Sequence, residues 1–289
     1  MASTDTPAAP RTQLRLPTYW PLLLGLALML VPTIGTLGSQ TWSKESGAHG
    51  PLVLFTGLWL IWRKREDFQV QASPGNAWLT CLGLAVSLPL YVFGRAYDFV
   101  SLEAAGLYGT CLTALYANVG LPAMLRNWFP LLYMGFLVPP PGWLMDGLTA
   151  PLKLLVSAVA TDGLQVFGIP IFRQGVTLIV AQYELLVEDA CSGMNSLIGL
   201  TAITLFYIYL LRNASWRYSL FLVTLVIPIA IVANVLRIVI LVLLTYFFGN
   251  AVAQGFLHET AGLVLFATSL MLVFLIDSVV SPLLRRRSA

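Results

Sequence analysis

Apolar segments of about 20 residues recur along this chain, separated by short polar joints that hold most of its basic residues. A helix needs about 20 apolar residues to cross a bilayer. Of the 289 residues, 58% are hydrophobic and 10% are charged, and the mean hydropathy is +0.81, whereas soluble domains carry roughly 25% charged residues. The sequence therefore predicts an all-α polytopic membrane protein with about eight transmembrane helices.

The first apolar segment, residues 17–37, is too long for the h-region of a signal peptide, and no small-x-small cleavage site follows it, so we expect a retained helix. The long segment 218–248 exceeds one straight span, and Pro228 gives a reason for a kink. Residues 143–163 predict an interfacial or partly re-entrant helix because they include Asp146 and Lys153. The eight predicted spans are 17–37, 51–62, 76–94, 99–121, 128–138, 195–211, 218–248 and 260–280.

The distribution of Lys and Arg predicts the orientation, because cytoplasmic joints carry the excess of positive charge. With a cytoplasmic N-terminus, the inner joints contain Arg11, Arg15, Arg63, Lys64, Arg65, Arg126, Arg212, Arg217, Arg285, Arg286 and Arg287. We therefore expect a disordered cytoplasmic tail at 1–16, a single transmembrane domain at 17–284 and a basic cytoplasmic tail at 285–289. The net charge of +3 does not indicate nucleic-acid binding, since the basic residues are not gathered on one face.

Two β-rich runs, 176–180 and 183–187, flank Ala181-Gln182. Their composition predicts a small hairpin on the outer side of the membrane, although Ala-Gln is a poor hairpin turn. The hairpin would directly precede Cys191.

Cys191 is one of three cysteines and lies among polar and small residues between two apolar segments. A thiolate is the nucleophilic form of cysteine, and a helix N-terminus stabilises it. Cys191 is therefore a candidate nucleophile, with an inert interfacial thiol as the alternative. Cys81 and Cys111 lie within apolar segments, where we expect buried, inert side chains.

Arg237 lies inside the seventh predicted span, where a guanidinium costs about 2.5–3.5 kcal/mol and usually faces a bundle interior. It is a candidate donor to an oxyanion. The structural alternative is an ion pair with Glu184, Glu188 or Glu259. Asn234 is three residues earlier on the same helical face and would position Arg237 or support a helix contact.

His258 opens the last predicted span and is one of two histidines. It is a candidate base for the Cys191 thiol and acid for the leaving amine, or an ordinary interfacial histidine. Glu188 and Asp189 flank the thiol, where one of them would orient His258 or remain solvated. His49 lies beside glycines in a loop and is expected to be solvent-exposed. Zinc normally needs three or four protein ligands, so we predict neither a metal nor another cofactor.

Three short motifs, in this order and sidedness, resemble the exosortase/archaeosortase family of membrane cysteine transpeptidases. They are Ala190-Cys191-Ser192-Gly193 at one span, Asn234-Val235-Leu236-Arg237-Ile238 in the next, and His258 with Gly262 at the last. The resemblance covers nearly the whole chain. It implies that Cys191, Arg237 and His258 form the catalytic set.

The resemblance also implies the substrates and the compartment. Family members recognise exported proteins by a C-terminal signal with a short motif such as Pro-Glu-Pro, a hydrophobic helix and a basic cluster. Cleavage through a Cys thioester would transfer the protein to an unknown envelope acceptor. We therefore expect a multi-pass protein of the bacterial inner membrane, in contact with lipid, with its active site on the periplasmic side and both termini in the cytoplasm.

Two other classes remain open at this point. One is a transporter that uses Arg237 as an intramembrane substrate or counter-ion site, although no convincing inverted repeat is found in the sequence. The other is a non-catalytic membrane assembly factor.

Overall fold

A computed structural model describes most of the chain and divides it into two compact units. The first unit draws on Met1–Ser39 and Leu54–Val138, and the second on Gln40–Val53 and Pro139–Ala289. The described residues are 16–44, 47–70, 72–180, 182–186, 196–210, 216–249, 251–252, 267 and 269–279. The predicted tails at 1–16 and 285–289 therefore fall almost wholly outside this range.

Helices dominate both units. In chain order the α-helices are α1 (Leu16–Leu37), α2 (Gly50–Arg63), α3 (Arg65–Val70), α4 (Ala77–Ala96), α5 (Val100–Arg126), α6 (Trp128–Met134), α7 (Gly142–Val166), α8 (Ser196–Leu210), α9 (Trp216–Phe248) and α10 (Ser269–Val279). A π-helical turn at Gly38–Trp42 follows α1, and a 3₁₀ turn at Gly135–Leu137 follows α6.

The first unit is built around the pair α4 and α5. A glycine allows their backbones to approach closely: a Cβ at Gly94 of α4 would collide with the backbone N of Glu103 in α5. Small residues give such close contacts between membrane helices. Glu103 is only 1% exposed, and its Oε1 accepts a hydrogen bond of 3.2 Å from Arg95 Nη1. The same Arg95 nitrogen donates to Thr36 Oγ1 at 2.6 Å, which links α4 to α1.

The two cysteines of this unit correct an expectation. Cys81 on α4 and Cys111 on α5 are both exposed on the helix surfaces rather than buried. The reason is that the α4–α5 contact uses other positions, among them Gly94, Ser87 and Thr110, whose hydroxyl donates to Ser87 Oγ at 3.1 Å. Apolar character in a membrane segment does not separate a side chain that faces lipid from one that faces another helix.

The second unit contains a small antiparallel sheet between α7 and α8. Its strands are β1 (Ile171–Gln174), β2 (Thr177–Val180) and β3 (Tyr183–Leu186), in the spatial order β1-β2-β3. Strands β2 and β3 occupy the two β-rich runs of the sequence, and β1 is a third strand that the pattern did not indicate. The location of this sheet outside the bilayer core remains a prediction.

The core of the second unit joins the sheet to two long helices. Leu178 and Val180 of β2, with Ile171 of β1, pack with buried residues of α7 and α9. The helical members of this cluster are Val156, Ala160, Leu164, Ile238 and Val242. One face of the sheet is therefore covered by α7 and α9.

Helix α7 covers the segment predicted to be interfacial or partly re-entrant, and its placement relative to the membrane remains a prediction. It is one continuous helix of 25 residues that begins directly after Pro141, and it is long and apolar enough to cross a membrane. Two of its three charged residues lie close together, because Lys153 Nζ is 3.8 Å from Asp146 Oδ1 two turns away.

Four described helices meet the length and apolarity of a membrane span: Trp20–Trp42, Ala77–Ala96, Gly142–Val166 and Leu220–Phe248. Four shorter apolar helices accompany them, at Gly50–Arg63, Trp128–Leu137, Ile198–Leu210 and Ser269–Val279. The described residues therefore form a helical membrane protein that also contains one small sheet. The total of eight spans remains a prediction. Helix α9 contains Pro228 within its 33 residues and is one element from Trp216 to Phe248.

Candidate active site

Arg237 is the largest fully buried side chain among the described residues, at 1% exposure. It lies on α9, and Asn234, one turn earlier, is also buried. Residues three apart on a helix share a face, so the two polar side chains point into the same interior region. A buried guanidinium needs compensating polar groups. The prediction that Arg237 faces the protein interior is therefore confirmed.

The sheet holds the segment that carries Arg237. Ile238, the next residue, and Val242, one turn later, both belong to the core formed with β1, β2 and α7. Burial of these apolar side chains fixes the rotation of α9 about its axis. The direction of the Arg237 side chain is thus set by the packing of the residues that follow it on α9.

Glu184 on β3, one of the three acids considered as ion-pair partners of Arg237, faces away from α9. Glu184 pairs with Ile179 across β2–β3 and is exposed. Neighbouring strand residues point to opposite faces, and Leu178 and Val180 face the α9 core. Glu184 therefore lies on the sheet face away from α9. Glu188 and Glu259, the other two acids, lie outside the described residues.

His49 corrects a second expectation. It is half-buried rather than solvent-exposed, and it precedes α2, where its carbonyl accepts a hydrogen bond of 3.0 Å from Val53 N. Its side chain packs against Gly199 in the first turn of α8: a Cβ at Gly199 would lie 2.9 Å from His49 Cβ and 3.3 Å from Nδ1. Some 150 residues separate the two positions, so no local pattern could have indicated this contact.

Burial has an electrostatic consequence for His49. Loss of solvent lowers the pKa of its imidazole below the ordinary value of 6.5, because burial disfavours the charged form. Burial therefore favours the neutral imidazole at His49. This residue belongs to the same unit as α8, α9 and the sheet.

The remaining predicted site residues, Cys191 and His258, lie outside the described residues, as do Glu188 and Asp189. In sequence, Cys191 comes five residues after the end of β3 and five before the start of α8. The described elements that flank the thiol in sequence are thus the sheet, which packs on α9, and α8, whose first turn contacts His49.

Helix α10, which follows His258 in sequence, is tied to α8 by a polar contact that the sequence did not indicate. Tyr207 of α8 donates a hydrogen bond of 2.5 Å to Asp277 Oδ2 of α10, and the ring of Tyr207 lies 4.6 Å from that of Phe274 between centroids. Asp277 is 6% exposed. A buried acid in an apolar helix is the signal that could have marked this contact.

In the part of the chain that the structure describes, no group of three or more His, Cys, Asp or Glu residues could hold a metal ion.

Comparison with protein families decides between the classes that the sequence left open. The profile of the transmembrane exosortases matches residues 41–275. The chain belongs to the transmembrane exosortase family. No curated protein and no solved structure matches it.

The exosortase match contains every residue of the predicted catalytic set, Cys191, Arg237 and His258, and it begins just before His49. It therefore spans the whole second unit up to the middle of α10, together with most of the first. An exosortase-type function in the membrane follows from family membership.

Proposed function

We propose that this exosortase is a cysteine transpeptidase that cleaves C-terminal sorting signals of exported proteins and transfers them to an acceptor in the cell envelope. The observation that carries the proposal is the burial of Arg237 on α9, beside the sheet that leads in sequence to Cys191. A buried cation near a nucleophilic thiol has a direct use in acyl transfer, where negative charge develops on the carbonyl oxygen.

In the proposed reaction, the Cys191 thiolate attacks the carbonyl carbon of the scissile peptide bond, and the carbonyl oxygen becomes an oxyanion. Arg237 donates hydrogen bonds to that oxyanion. Its collapse breaks the C–N bond, and His258, having taken the thiol proton, gives it to the leaving amine. The acyl group is then held as a thioester on Cys191, and an acceptor nucleophile releases it and restores the thiol.

The proposed location is the bacterial inner membrane, with both termini in the cytoplasm and the site on the periplasmic side. The charge rule supports this orientation. A substrate signal helix with a basic end obeys the same rule, so its preceding motif would be presented on the periplasmic side. Lateral entry of that helix between spans would give the proximity that acyl transfer needs.

The experiment is co-expression with a tagged substrate that ends in a Pro-Glu-Pro motif, an apolar helix and a basic cluster. Mass spectrometry of the tagged product identifies its new C-terminus. We expect a C-terminus at the motif with the wild-type enzyme and uncut substrate with Cys191→Ala. Equal processing by Cys191→Ala would exclude a cysteine transpeptidase.

Cys191→Ser, His258→Ala and the double variant extend this experiment. The hydroxyl of Cys191→Ser preserves shape but is a much poorer nucleophile without a matched base. Either single change should abolish processing, and the double change should be scarcely worse, since residues that act as one unit are grossly non-additive. If the losses of activity in the two single variants multiplied in the double variant, the two residues would act independently.

A transporter is the second candidate, because Arg237 is a buried cation in an apolar helix, a feature that also marks intramembrane substrate sites. Under that proposal Arg237→Lys would change transport, and Cys191→Ala would leave the activity intact. For a non-catalytic assembly factor, Cys191→Ala would keep both substrate binding and the downstream phenotype.

A further inference from the structure

Strand β3 is the described element that precedes the proposed nucleophile in sequence. It ends at Leu186, and Cys191 is five positions later. Five residues reach at most about 18 Å, which limits the distance of the thiol from the end of β3.

The register shows which backbone groups of β3 point away from the sheet. The loop between Val180 and Tyr183 has two residues, so this pair closes the hairpin with reciprocal hydrogen bonds. Hydrogen-bonded and non-hydrogen-bonded pairs alternate along antiparallel strands. Glu184 and Leu186 are therefore in non-hydrogen-bonded positions, and their N–H and C=O groups face the outer edge of β3.

The opposite edge of the sheet obeys the same rule and is already in use. The two-residue loop between Gln174 and Thr177 makes Ile171 an outward-facing position of β1. The Ile171 carbonyl accepts a hydrogen bond of 2.9 Å from Gln165 Nε2 of α7. This bond agrees with the alternation and shows that a side chain of α7 already occupies the β1 edge at Ile171. Among the described elements, none pairs with the outer edge of β3.

We propose that β3 is the substrate-binding strand: an extended peptide segment next to the scissile bond adds to it as a fourth strand. The inference rests on the proposed function. Addition of a peptide to a sheet edge supplies affinity through main-chain hydrogen bonds, here from Glu184 and Leu186. The covered inner face anchors the sheet on α7 and α9 beside Arg237, so the bound backbone has a fixed position relative to that guanidinium.

The main test is Glu184→Pro, which removes an outward N–H while the bonds to β2 remain. Proline is tolerated at such edge positions. We expect processing of the tagged Pro-Glu-Pro substrate to fall about tenfold or more, which corresponds to about 1.4 kcal/mol. Glu184→Ala, which keeps the N–H, should lose much less.

The matched control is Arg173→Pro on β1. Arg173 pairs with Leu178 in a non-hydrogen-bonded position, is exposed, and has its N–H on the outer edge of β1. The Arg173→Pro variant should process substrate like the wild type. If Glu184→Pro were as active as Arg173→Pro while Cys191→Ala was inactive, the binding strand would be excluded and the proposed function would stand. If Cys191→Ala cleaved normally, the proposed function would fail and this inference with it.

Disulfide trapping tests the same geometry without proline. Glu184→Cys is combined with alanine at Cys81, Cys111 and Cys191, and the substrate carries single cysteines at successive positions before its cleavage site. Neighbouring strands bring Cα atoms within about 4.5–5.5 Å, inside the range for a disulfide. The next substrate positions on the same face are about 7–8 Å away, which is beyond the range for a disulfide, so we expect a cross-link at one substrate position and none at its immediate neighbours. Equal cross-linking of adjacent positions, or no preference, would overturn strand addition.

Discussion

Individual side chains in the second unit are constrained by contacts between parts of the chain that are distant in sequence. Arg237 is oriented because the residues that follow it on α9 pack in one core with the sheet. His49 packs against Gly199 on α8. Both residues lie within the exosortase match.

Arg237→Lys keeps the charge but replaces the planar fork of five donors with a single ammonium group. Loss of one oxyanion donor typically costs about 2.7–4 kcal/mol, or 10²–10³ in rate. We expect normal amounts of protein in the membrane and processing slower by about that factor, measured by the rate of product formation. Absence of the variant from the membrane would instead indicate a structural ion pair.

Gly199→Ala should destabilise the second unit, because the added methyl group would lie 2.9 Å from His49 Cβ. Overpacking typically costs about 1–3 kcal/mol. Gly163→Ala on α7 is the matched control, since a Cβ there meets nothing within 4 Å and alanine favours the helix by about 1 kcal/mol. Thermal unfolding in detergent should place the Gly199 variant below the wild type and the Gly163 variant level with it or above it. Equal melting temperatures for the two variants would contradict the His49 contact.

Among the secondary-structure elements, the length of α9 is related to its packing with the sheet. Helix α9 is 33 residues long, or about 50 Å, whereas the hydrocarbon core is about 30 Å thick. The 20 residues from Arg217 to Arg237 already cover about 30 Å. Its C-terminal third, from Ile238 onward, contributes the buried residues Ile238 and Val242 to the core shared with the sheet. Exposed strand edges are excluded from lipid, so we expect this third of α9 to extend beyond the hydrocarbon together with the sheet.

The two faces of the sheet should respond differently to truncation. Leu178 on β2 is 1% exposed and packs against α7 and α9, whereas Phe172 on β1 is 69% exposed. Leu178→Ala should cost about 2–5 kcal/mol by leaving a cavity. Phe172→Ala should change the free energy of unfolding by about 0.5 kcal/mol or less. Denaturant unfolding in detergent compares the two, and a larger loss for Phe172→Ala would mean that the covered face has been assigned wrongly.

For the molecule as a whole, helix lengths favour a set of crossings that differs from the predicted one, and both sets give the proposed periplasmic location of Cys191. Residues Trp128–Leu137 form only a seven-residue α-helix and one 3₁₀ turn, about 16 Å in all, which is too short for the fifth predicted span. Helix α7, about 38 Å long, has the length to replace it. With this exchange one crossing is removed and one is added, so the proposed periplasmic location of Cys191 is unchanged.

Labelling at the two ends of α7 tests this exchange. Trp143 and Phe167 are 76% and 84% exposed, and single cysteines at these positions replace the native ones. If α7 spans the membrane, Phe167→Cys should react with an impermeant thiol reagent in intact cells and Trp143→Cys only after lysis. Reaction of both from outside would restore the interfacial helix that the sequence favoured.

The class of protein could be predicted from the sequence, because apolar segments of bilayer length and a low content of charge allow few alternatives. The sequence also placed the strands β2 and β3, since β-branched runs before Cys191 differ in composition from the surrounding helices. The ordered motifs around Cys191, Arg237 and His258 were sufficient for the family, which the profile match confirms. These are local properties, or properties of order along the chain.

The sequence did not show which faces of the helices are buried or which distant segments are in contact, and the folded structure was needed for both. In a membrane segment both the lipid-facing and the protein-facing sides are apolar, so hydropathy could not show that Cys81 and Cys111 face outward. The contact of His49 with Gly199, the buried pair of Tyr207 and Asp277, and the packing of the sheet beside Arg237 all join residues far apart in sequence. Such contacts depend on how helices and strands pack together, and packing depends on shape and backbone approach in three dimensions rather than on periodicity along one segment.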